Sequence, residues 1–585
     1  MDIKEIKETA IWYLYEKGRN YHRLTGIYTD TDRNYRMYNG DQWGGAKLGD
    51  VEPVQKNFIK PIVKYKVGVV HDNLYAINYS SMNFENKDFR QEAEKICEML
   101  NKKAARVWEK DKMDFKGRRI TKDASINDEG IIYVDYDLEN QTPVNEIIKK
   151  NDIYYGNEND DDIQSQPYIL IRKRMPVSNA IAMAEKEGLG IEKLSMIIGD
   201  NDTFEESGEA AKQELDNMVT VITKMYKKDG TVHFSMATRW LEIKKDKDTG
   251  LTYYPVAHYN WEEKEGSARG EGEVRFLIPN QIEVNRTEVR RVLTVKYQAY
   301  PQKVINTDKI ANPSAINQVG GVVKVKGGMS VDDVNKVVGT LPPAQMSPDV
   351  KQLQEDLIQV TRDLAGAGDI ATGQVNPEDA SGRAILAVQQ ASMSPMTEQK
   401  EAYKNFVEDL ARIWLDMIIV YSQDGIKLEE EVTDPTTGEV TIQLVDVPQT
   451  ALQELQATVK VDITPKGAFD KYAQEMSIEN MFSQGMFNVQ RLPELKTYVK
   501  LLDDDSVMPK VKLEEAIELI EEEQEKIAMM NAQAQIMQQQ ANQFLMEDPN
   551  AQASQLLEAE QMPVEAPTEE VPVEEEVIED NPDDN

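Results

Sequence analysis

Histidines are the first side chains to consider for acid–base or metal chemistry in this sequence. There are four, and they are widely separated, at His22, His71, His233 and His258. Two histidines that bind one metal ion from a single element lie a few residues apart, and no such spacing occurs here. Each histidine is therefore expected to lie on the surface or to be hydrogen-bonded inside a core.

Catalytic motifs are also missing. The sequence has no G-x-x-x-x-G-K-[ST] phosphate loop, no H-E-x-x-H helix, no G-x-S-x-G elbow and no C-x-x-C pair. Each of these motifs holds a nucleophile, a metal ligand or backbone amides at the spacing that its chemistry requires. The sequence therefore favours a protein that is not an enzyme and uses no metal ion or cofactor.

Two acid-rich stretches could attract a divalent cation. The stretch DNDTFEE begins at Asp200, but the positions that need a glycine and a bidentate carboxylate in a calcium loop hold Glu205 and Ala211. We expect a solvated loop there. The run NENDDDIQ at 157–164 is also typical of a solvated loop, although its acids leave one alternative open that is given below.

The composition is typical of a large soluble protein with several domains. Of 585 residues, 40% are hydrophobic and 29% are charged. No run of about 18 apolar residues predicts a membrane span, and the acidic N-terminal stretch does not resemble a secretion signal. The single cysteine, Cys97, excludes an internal disulfide and is expected to be buried in a helix.

Charge is unevenly distributed along the chain, whose formal net charge is −36. Such a balance argues against a protein that holds nucleic acid by neutralising phosphates. Residues 547–585 contain 14 acidic residues and no lysine or arginine, and this Pro/Glu-rich tail is expected to be disordered. Residues 284–327 are locally basic, with only Glu288 and Asp308 as acids. Their basic residues are Arg286, Arg290, Arg291, Lys296, Lys303, Lys309, Lys324 and Lys326.

Hydrophobic periodicity predicts the elements that position these side chains. The first hundred residues have a mostly helical pattern. Residues 130–260 alternate as strands of an antiparallel meander, with a helical excursion near 177–216. Turn residues predict two hairpins in this meander, at Asp229-Gly230 and at Asp248-Thr249-Gly250.

Further along the chain, the pattern predicts a pair of helices and then a long one. The first helix runs from Pro279 to Pro301 and the second follows Ser347, with a Gly/Val/Asn-rich stretch between them that suits a short strand and helix. In the second helix, apolar residues recur along one face at 350, 353, 357, 360 and 364. A long helix at about 382–422, a hairpin around 434–440 and further helices from about 467 complete the prediction.

The order of elements from 275 to 425 resembles that of the portal proteins of tailed double-stranded-DNA bacteriophages. It runs from a helix ended by proline, through a small excursion and a second helix, to the polar loop GAGDIATGQVNPEDASG and a long helix. The most specific similarity is the pattern TGQ…SGRAI…Q at the start of that long helix. The stretches YRMYNGDQW and NFIKPIVKYKVGVV also resemble the opening of that family.

This resemblance implies a mixed α+β fold with the parts of a portal protein. In chain order, these would be a wing at 1–278 (N-terminal helices plus an antiparallel β meander), a first stem helix at 279–300, a small α/β clip at 301–346, a second stem helix at 347–365, a channel loop at 366–381, a long wing helix and β-hairpin at 382–466, a helical crown at 467–546 and a disordered acidic tail at 547–585.

The channel loop would project into a central pore, as it does in that family. Its glycines Gly366 and Gly368 can end one helix, and Asp379 or Ser381 can cap the next. The loop has no lysine or arginine, so it would centre a duplex without holding it. The polar residues that would line the pore are Asp369, Thr372, Gln374, Asn376 and Glu378.

The basic residues of the stem and clip have two possible roles under this resemblance. They would either face DNA or pair with acidic groups on a neighbouring subunit. The residues concerned are Arg286, Arg290, Arg291, Lys296, Lys303, Lys324 and Lys326.

The resemblance also implies a function and partners. The protein would form a ring, a dodecamer in that family, at one capsid vertex of the virion after assembly in the host cytoplasm. Double-stranded DNA would cross the ring without sequence specificity during packaging and ejection. The other partners would be the terminase motor, a head-completion adaptor at the clip, the major capsid protein and the scaffolding protein, with no membrane.

Two alternatives remain open from the sequence. One is another structural scaffold of the virion, such as a capsid-internal or baseplate component. The other is a metal-dependent DNA-processing enzyme, such as a nuclease, that would hold its metal through Asp160, Asp161 and Asp162.

Overall fold

The computed structural model describes residues 8–46, 53–81, 87–200, 217–300, 302–318, 320–326, 337–342, 345–368, 394–422, 425–433, 440–455 and 457–465, together with eight single positions between 496 and 526. The chain divides after Gly467 into two units, and every element given below belongs to the first. Apart from those single positions, the predicted crown at 467–546 and the acidic tail at 547–585 lie outside the described residues.

The described part of the chain contains 11 α-helices. They are α1 (Ala10–Leu24), α2 (Ile27–Asn39), α3 (Ile59–Val70), α4 (Lys87–Lys110), α5 (Met113–Asn127), α6 (Val177–Lys186), α7 (Ile191–Leu194), α8 (Glu273–Ala299), α9 (Asp349–Leu364), α10 (Thr397–Tyr421) and α11 (Gln449–Glu454). Short 3₁₀ turns occur at Lys150–Asp152, Ile163–Ser165, Pro313–Asn317 and Ser394–Met396.

The strands of the described ranges all pair antiparallel in small sheets. They are β1 (Asn73–Ser81), β2 (Glu129–Asp137), β3 (Thr142–Ile148), β4 (Ile153–Tyr155), β5 (Ile169–Pro176), β6 (Met218–Lys228), β7 (Thr231–Ala237), β8 (Glu242–Asp248), β9 (Val256–Asn260), β10 (Lys303–Ile305), β11 (Val338–Thr340), β12 (Ile426–Thr433), β13 (Val440–Val447) and β14 (Ala457–Pro465). One sheet has the order β4-β5-β6-β7-β8 and another β3-β2-β9, while β1–β14, β10–β11 and β12–β13 form pairs. The mixed α+β class predicted from the sequence is confirmed.

The turn between β6 and β7 confirms the first predicted hairpin. Asp229 and Gly230 have φ angles of 55° and 92°, so both central residues are left-handed. This conformation matches the right-handed twist of the flanking strands, and it places Lys228 opposite Thr231. The hairpin predicted around 434–440 is also confirmed, because β12 and β13 pair along their whole length.

The second predicted hairpin is wrong. The chain does turn at Gly250, whose φ is 74°, but β9 does not return along β8. Instead β9 pairs with β2, placing Tyr133 opposite Val256. A side chain of α10 holds the chain where it leaves the first sheet for the second. Asp416 Oδ2 accepts hydrogen bonds from the backbone amides of Thr252 at 2.8 Å and Tyr253 at 3.1 Å.

The strand β1 was not predicted, because the first hundred residues have a mostly helical pattern. Its partner β14 lies far away in the sequence, with Asn73 opposite Pro465 and Ser81 opposite Ala457. The Tyr79 hydroxyl donates to the carbonyl oxygen of Ala411 at 3.0 Å, which ties the strand to α10. Pairing across the fold therefore outweighs the local helical pattern.

The largest hydrophobic core surrounds α10. This helix packs against β9, β14 and β1, and Tyr403, Phe406, Leu410 and Trp414 are at most 2% exposed. The Trp414 indole nitrogen donates to Asn145 Oδ1 at 2.9 Å, so its polar atom is satisfied inside the core. Cys97 lies in the same core and is buried, as predicted.

The described part of the predicted long helix is α10, which starts at Thr397 after a 3₁₀ turn at Ser394–Met396. Pro395 lies in that turn and has no amide hydrogen to donate to an α-helical bond. The predicted start of the helix at about 382 lies outside the described residues, as does all of 369–393.

Within the described ranges, each helix is too short or too polar to cross a bilayer.

Candidate functional site

The candidate site is the pair of helices α8 and α9 together with the small module between them. The two helices run antiparallel, because Gln354 contacts Arg291 and Val284 whereas Thr361 contacts Asn280. The helix α8 begins at Glu273, six residues before the predicted start, so Pro279 lies inside it. The proline is exposed, and the helix continues past the hydrogen bond that it cannot make.

The first half of α8 is anchored by buried polar side chains. Lys66 Nζ lies 2.6 Å from Glu273 Oε2, and both side chains are less than 10% exposed. Asp128 Oδ1 accepts from the amide of Gly272 at 2.7 Å, next to the first residue of the helix. A carboxylate at this end is favourable because the first amides of a helix lack intrahelical partners.

Two amide side chains of α8 hold the segment that leads into α3. Gln281 accepts from the amide of Phe58 at 3.0 Å and donates to the carbonyl oxygen of Lys56 at 2.7 Å. Asn285 Oδ1 accepts from the amide of Lys56 at 3.1 Å. These bonds fix the base of α8 within the first unit while its last six residues, 294–299, lie outside the core.

Polar side chains occupy the seam between α8 and α9. Gln354 and Thr361 are the buried residues of α9, with 1% and 3% exposure. Gln354 Nε2 donates to Glu288 Oε2 at 2.9 Å and to the carbonyl oxygen of Val284 at 3.2 Å. Asn280 donates to Thr361 Oγ1 at 2.9 Å.

The arginines of α8 have carboxylate partners in their own chain. Arg286 and Arg290 lie 3.7 and 3.3 Å from Glu283, and Arg291 lies 3.1 Å from Glu288. Arg291 also donates to Gln354 Oε1 at 2.7 Å. Lys56 reaches Glu288 as well. Partial burial raises the pKa of the Glu288 carboxyl, but the hydrogen bond from Gln354 and the charges of Lys56 and Arg291 outweigh it, so that the pKa is lowered.

An apolar stripe on α9 lies beside the seam. Leu353, Val360 and Leu364 are 64%, 51% and 82% exposed. Leu353 and Val360 each precede a seam residue by one position, which is a rotation of about 100° around the helix. The apolar face predicted for this helix therefore exists, but it is half uncovered in the single subunit, where only Leu357 and Ile358 pack against the core.

The small module between the helices has a core of its own. Ile310, Ile316 and Val337 are buried together, and β10 pairs with β11 through Val304 opposite Gly339. Lys303 Nζ donates to the carbonyl oxygen of Ile316 at 2.6 Å. The predicted strand is present, while the part of the module at 327–336 lies outside the described residues.

The predicted channel loop is described only at its beginning. Gly366 has a φ of 67°, and the amide of Ala367 donates to the carbonyl oxygen of Arg362 at 2.8 Å, which ends α9 as predicted for a glycine cap. The pore-lining candidates Asp369, Thr372, Gln374, Asn376 and Glu378 lie outside the described residues, as do Asp379 and Ser381.

The four histidines all have polar partners. His71 bonds Thr121 at 2.8 Å and His233 bonds Asp246 at 2.6 Å. The other two belong to a buried cluster around Arg269, which donates to Glu129 and Glu158.

In that cluster, His258 lies 2.7 Å from Glu129, and the Arg269 guanidinium lies 2.9 Å from His22 Nε2. Burial, together with the neighbouring Arg269, lowers the pKa of His22 to about 4, so its ring is neutral near pH 7. Burial raises the pKa of Glu129 and Glu158, but the Arg269 charge and histidine hydrogen bonds outweigh it and lower both to about 2. The positive charge of Arg269 is thus paired inside the cluster with the carboxylates of Glu129 and Glu158.

Two acids of 157–164 accept hydrogen bonds within their own loop, whereas Glu158 belongs to the Arg269 cluster. Asp160 Oδ2 accepts from Ser165 Oγ at 2.6 Å, and Asp162 Oδ1 accepts from the amide of Gln164 at 2.8 Å. Asp161 is exposed. Among the residues that the structure describes, no group of three histidine, cysteine or acidic side chains could hold a metal ion.

At the second acidic stretch, Asp200 is bound rather than solvated. It lies 2.6 Å from the Arg174 guanidinium and accepts from the Thr220 amide at 2.8 Å, so the expectation of a solvated loop is wrong at this residue. Residues 201–216 lie outside the described residues.

The buried amides Gln281, Asn285 and Gln354 were not identified from the sequence. In a helical pattern, a glutamine that faces another helix is indistinguishable from one that faces water. Only the partner in space distinguishes them, and the partners here are backbone groups more than 65 residues away.

Comparison with known proteins adds one positive finding. A family model described as "Phage P22-like portal protein" matches residues 19–570. No curated protein matches the chain.

Proposed function

The chain belongs to the phage P22-like portal protein family, and we propose that it forms the ring through which DNA enters and leaves the capsid. The family supports a structural component of the phage virion that works as a ring oligomer at the capsid vertex. The finer proposal is a passive channel that serves both packaging and ejection. An ATP-driven motor would be a separate protein, because this sequence has no phosphate-loop motif.

The observation that best supports this proposal is the uncovered apolar stripe of α9. Fully burying one leucine or valine side chain stabilises an assembly by about 1.5 to 3 kcal/mol relative to leaving it exposed. Leu353, Val360 and Leu364 do not receive this contribution in the single subunit. A neighbouring copy that packs side by side would cover them, since patches of exposed apolar residues mark association surfaces.

The polar seam explains why the apolar stripe is not used within the subunit. Within one subunit, α8 and α9 are held together by Gln354, Thr361 and Asn280, so the apolar side chains are left for contacts between subunits. On α8, Val295 and Tyr297 are 64% and 56% exposed and offer an apolar counterpart. Copies related by a rotation would then repeat one contact around a ring.

We assign the parts of the channel from the family. The stem would be 279–300 and 347–365, and the clip at 301–346 would dock the packaging motor and later the head-completion proteins. The wing would comprise 1–278 and 382–466, with a crown at 467–546. The anchoring of α8 to Lys56 and Phe58 supports a rigid connection between the stem and the wing.

The channel loop at 366–381 would line the narrowest point. Its composition supports this, because the loop carries Asp369 and Glu378 but no lysine or arginine. Each phosphate–lysine contact adds salt-dependent affinity and would slow a sliding duplex. A polar, acidic lining would repel DNA weakly from all sides.

Electron microscopy of the purified protein tests the proposal. Negative-stain images should show rings with a central hole, and the variant with Leu353, Val360 and Leu364 replaced by serine should remain folded but give single subunits. Fibres, trimers or uniformly monomeric particles from the unmodified chain would contradict the portal function.

A further inference from the structure

A lysine-bearing face on the small module between α8 and α9 is the feature that the proposed function leaves unexplained. The residues are Lys309, Lys324 and Lys326, all exposed. We propose that this face docks a protein partner that presents carboxylates next to an apolar side chain. The inference deepens the docking role of the clip and rests on it.

Backbone pairing places the three lysines on one side of the module. Ile310 pairs antiparallel with Val325. The amide of Lys326 donates to the carbonyl oxygen of Lys309, and that of Ala311 to the carbonyl oxygen of Lys324, both at 2.8 Å. Since neighbouring residues alternate between faces, the lysines share the face opposite to the buried Ile310.

This register sets like charges against each other. Lys309 lies directly opposite Lys326, an arrangement that destabilises an antiparallel pair. Within the described ranges no carboxylate lies within ion-pair distance of these two residues or of Lys324, although Asp308 is adjacent in sequence. Arg286, Arg290 and Arg291 of α8 differ, because each lies within ion-pair distance of Glu283 or Glu288. An acidic partner would relieve the repulsion among the lysines.

An exposed apolar residue continues the same face. Val322 lies two residues before Lys324 and is 75% exposed, whereas Val323 and Val325 are partly covered. The sugar–phosphate backbone of DNA is contacted mainly through its charged phosphates and offers little apolar surface to cover a valine, whereas protein interfaces combine apolar contacts with a polar rim. The combination therefore favours an acidic protein surface over a duplex.

A side-chain clamp keeps the face in shape. Asn312 Oδ1 accepts from the amide of Lys324 at 2.7 Å, and Asn312 Nδ2 donates to the carbonyl oxygen of Val322 at 2.8 Å. These bonds hold residues 322–324 extended against 309–312, so that the side chains of Val322 and Lys324 are presented together. Asn312 is thus a positioning residue for the face.

Binding of two probes to the full-length protein tests the inference. One probe is a peptide of about ten residues that alternates glutamate and leucine, long enough to span the face when extended. The other is a DNA duplex of random sequence. The test variant carries Lys309→Glu, Lys324→Glu and Lys326→Glu. Its control, Lys228→Glu with Lys245→Glu and Lys247→Glu, makes the same charge change on exposed lysines of the five-stranded sheet.

The peptide should bind the unmodified protein, and its affinity should fall with added salt. The affinity should also fall at least about tenfold in the test variant but not in the control. Val322→Ser and Asn312→Ala should each weaken peptide binding while leaving the lysine charges intact. Peptide affinity that is equal in the test and control variants overturns the inference. The inference is also overturned if the three lysines are needed for binding the duplex but not for binding the peptide, since this result would favour a nucleic-acid contact.

Micrographs of the test variant separate this inference from the proposed function. The lysine face lies outside the apolar stripe, so the variant should still form rings. Rings that persist while peptide binding is lost support both proposals. Failure of the unmodified protein to form rings counts against the portal function, whereas lysine-independent peptide binding by intact rings counts against the lysine face alone.

Discussion

The helices α9 and α10 bury opposite kinds of side chain, polar in α9 and apolar in α10, although both have strong apolar periodicity. In α10, large apolar residues such as Phe406 and Trp414 are buried inside the subunit. In α9, the buried residues are Gln354 and Thr361, and the apolar stripe lies outside. The difference indicates that α10 is stabilised by its own subunit, whereas the apolar stripe of α9 remains available for the proposed contact with another copy.

The largest expected effect comes from breaking the core of α10. Trp414→Ala should lower the free energy of unfolding by about 3 to 5 kcal/mol, because it removes a buried indole and leaves a cavity. The variant also leaves Asn145 Oδ1 without its 2.9 Å donor. Urea denaturation of the purified subunit measures the change. A loss similar to that of Leu353→Ala would remove the distinction between the two helices.

The buried charge cluster gives the next effect. Arg269→Met leaves Glu129 and Glu158 buried without their cation, which should cost about 3 to 5 kcal/mol near pH 7. A leucine-to-alanine change elsewhere on the surface would have no comparable effect.

This variant has a characteristic dependence on pH. In the unmodified protein both carboxyls have a pKa lowered to about 2 from 4.5, so their stabilisation is present above about pH 4.5 and is lost as the pH falls towards 2. Without Arg269, burial raises both pKa values, and the unfolding free energy should recover on acidification. Denaturation curves at several pH values decide this, and an unchanged pH profile would contradict the assignment.

The seam of the helix pair should give a smaller effect. Gln354→Ala removes the bonds to Glu288, Val284 and Arg291 and should destabilise the subunit by about 1 to 3 kcal/mol. The exposed Gln352 provides the matched control, since Gln352→Ala should change stability by less than about 0.5 kcal/mol. Equal effects of the two substitutions would show that the polar seam does not hold α8 to α9.

The stripe should give the smallest effect on the subunit itself. Replacing Leu353 with serine should change the unfolding free energy of the isolated subunit by less than about 0.5 kcal/mol, because the side chain is 64% exposed. The same change should shift the oligomer towards single subunits, as measured by analytical ultracentrifugation. A large loss of subunit stability with normal assembly would reverse the roles assigned to α9 and α10.

Periodicity was enough to predict the existence of α8, α9 and α10, because each has apolar residues at helical spacing over several turns. It could not indicate which apolar face is covered, since Leu353 and Phe406 have the same pattern. The strand β1 and the crossing at Gly250 depend on Ala457–Pro465 and on Asp416, which are distant in sequence. Such long-range pairings override local propensity and are not encoded in a short window.

For the candidate site too, part could be predicted from the sequence and part could not. The resemblance to portal proteins was confirmed over residues 19–570, and the basic character of 284–327 follows from composition. The i,i+3 spacing of Glu283 and Arg286 on one helix indicates their ion pair already in the sequence. That Lys309 lies opposite Lys326 could not be predicted, because it depends on how two separate segments pair.

Cryo-electron microscopy of the assembled oligomer tests whether the stripe of α9 is a contact between subunits. We expect a ring in which Leu353, Val360 and Leu364 are covered by α8 of the adjacent copy, with residues 366–381 facing the central axis. A ring in which this stripe remains in contact with solvent, or in which those residues point away from any pore, would contradict this expectation.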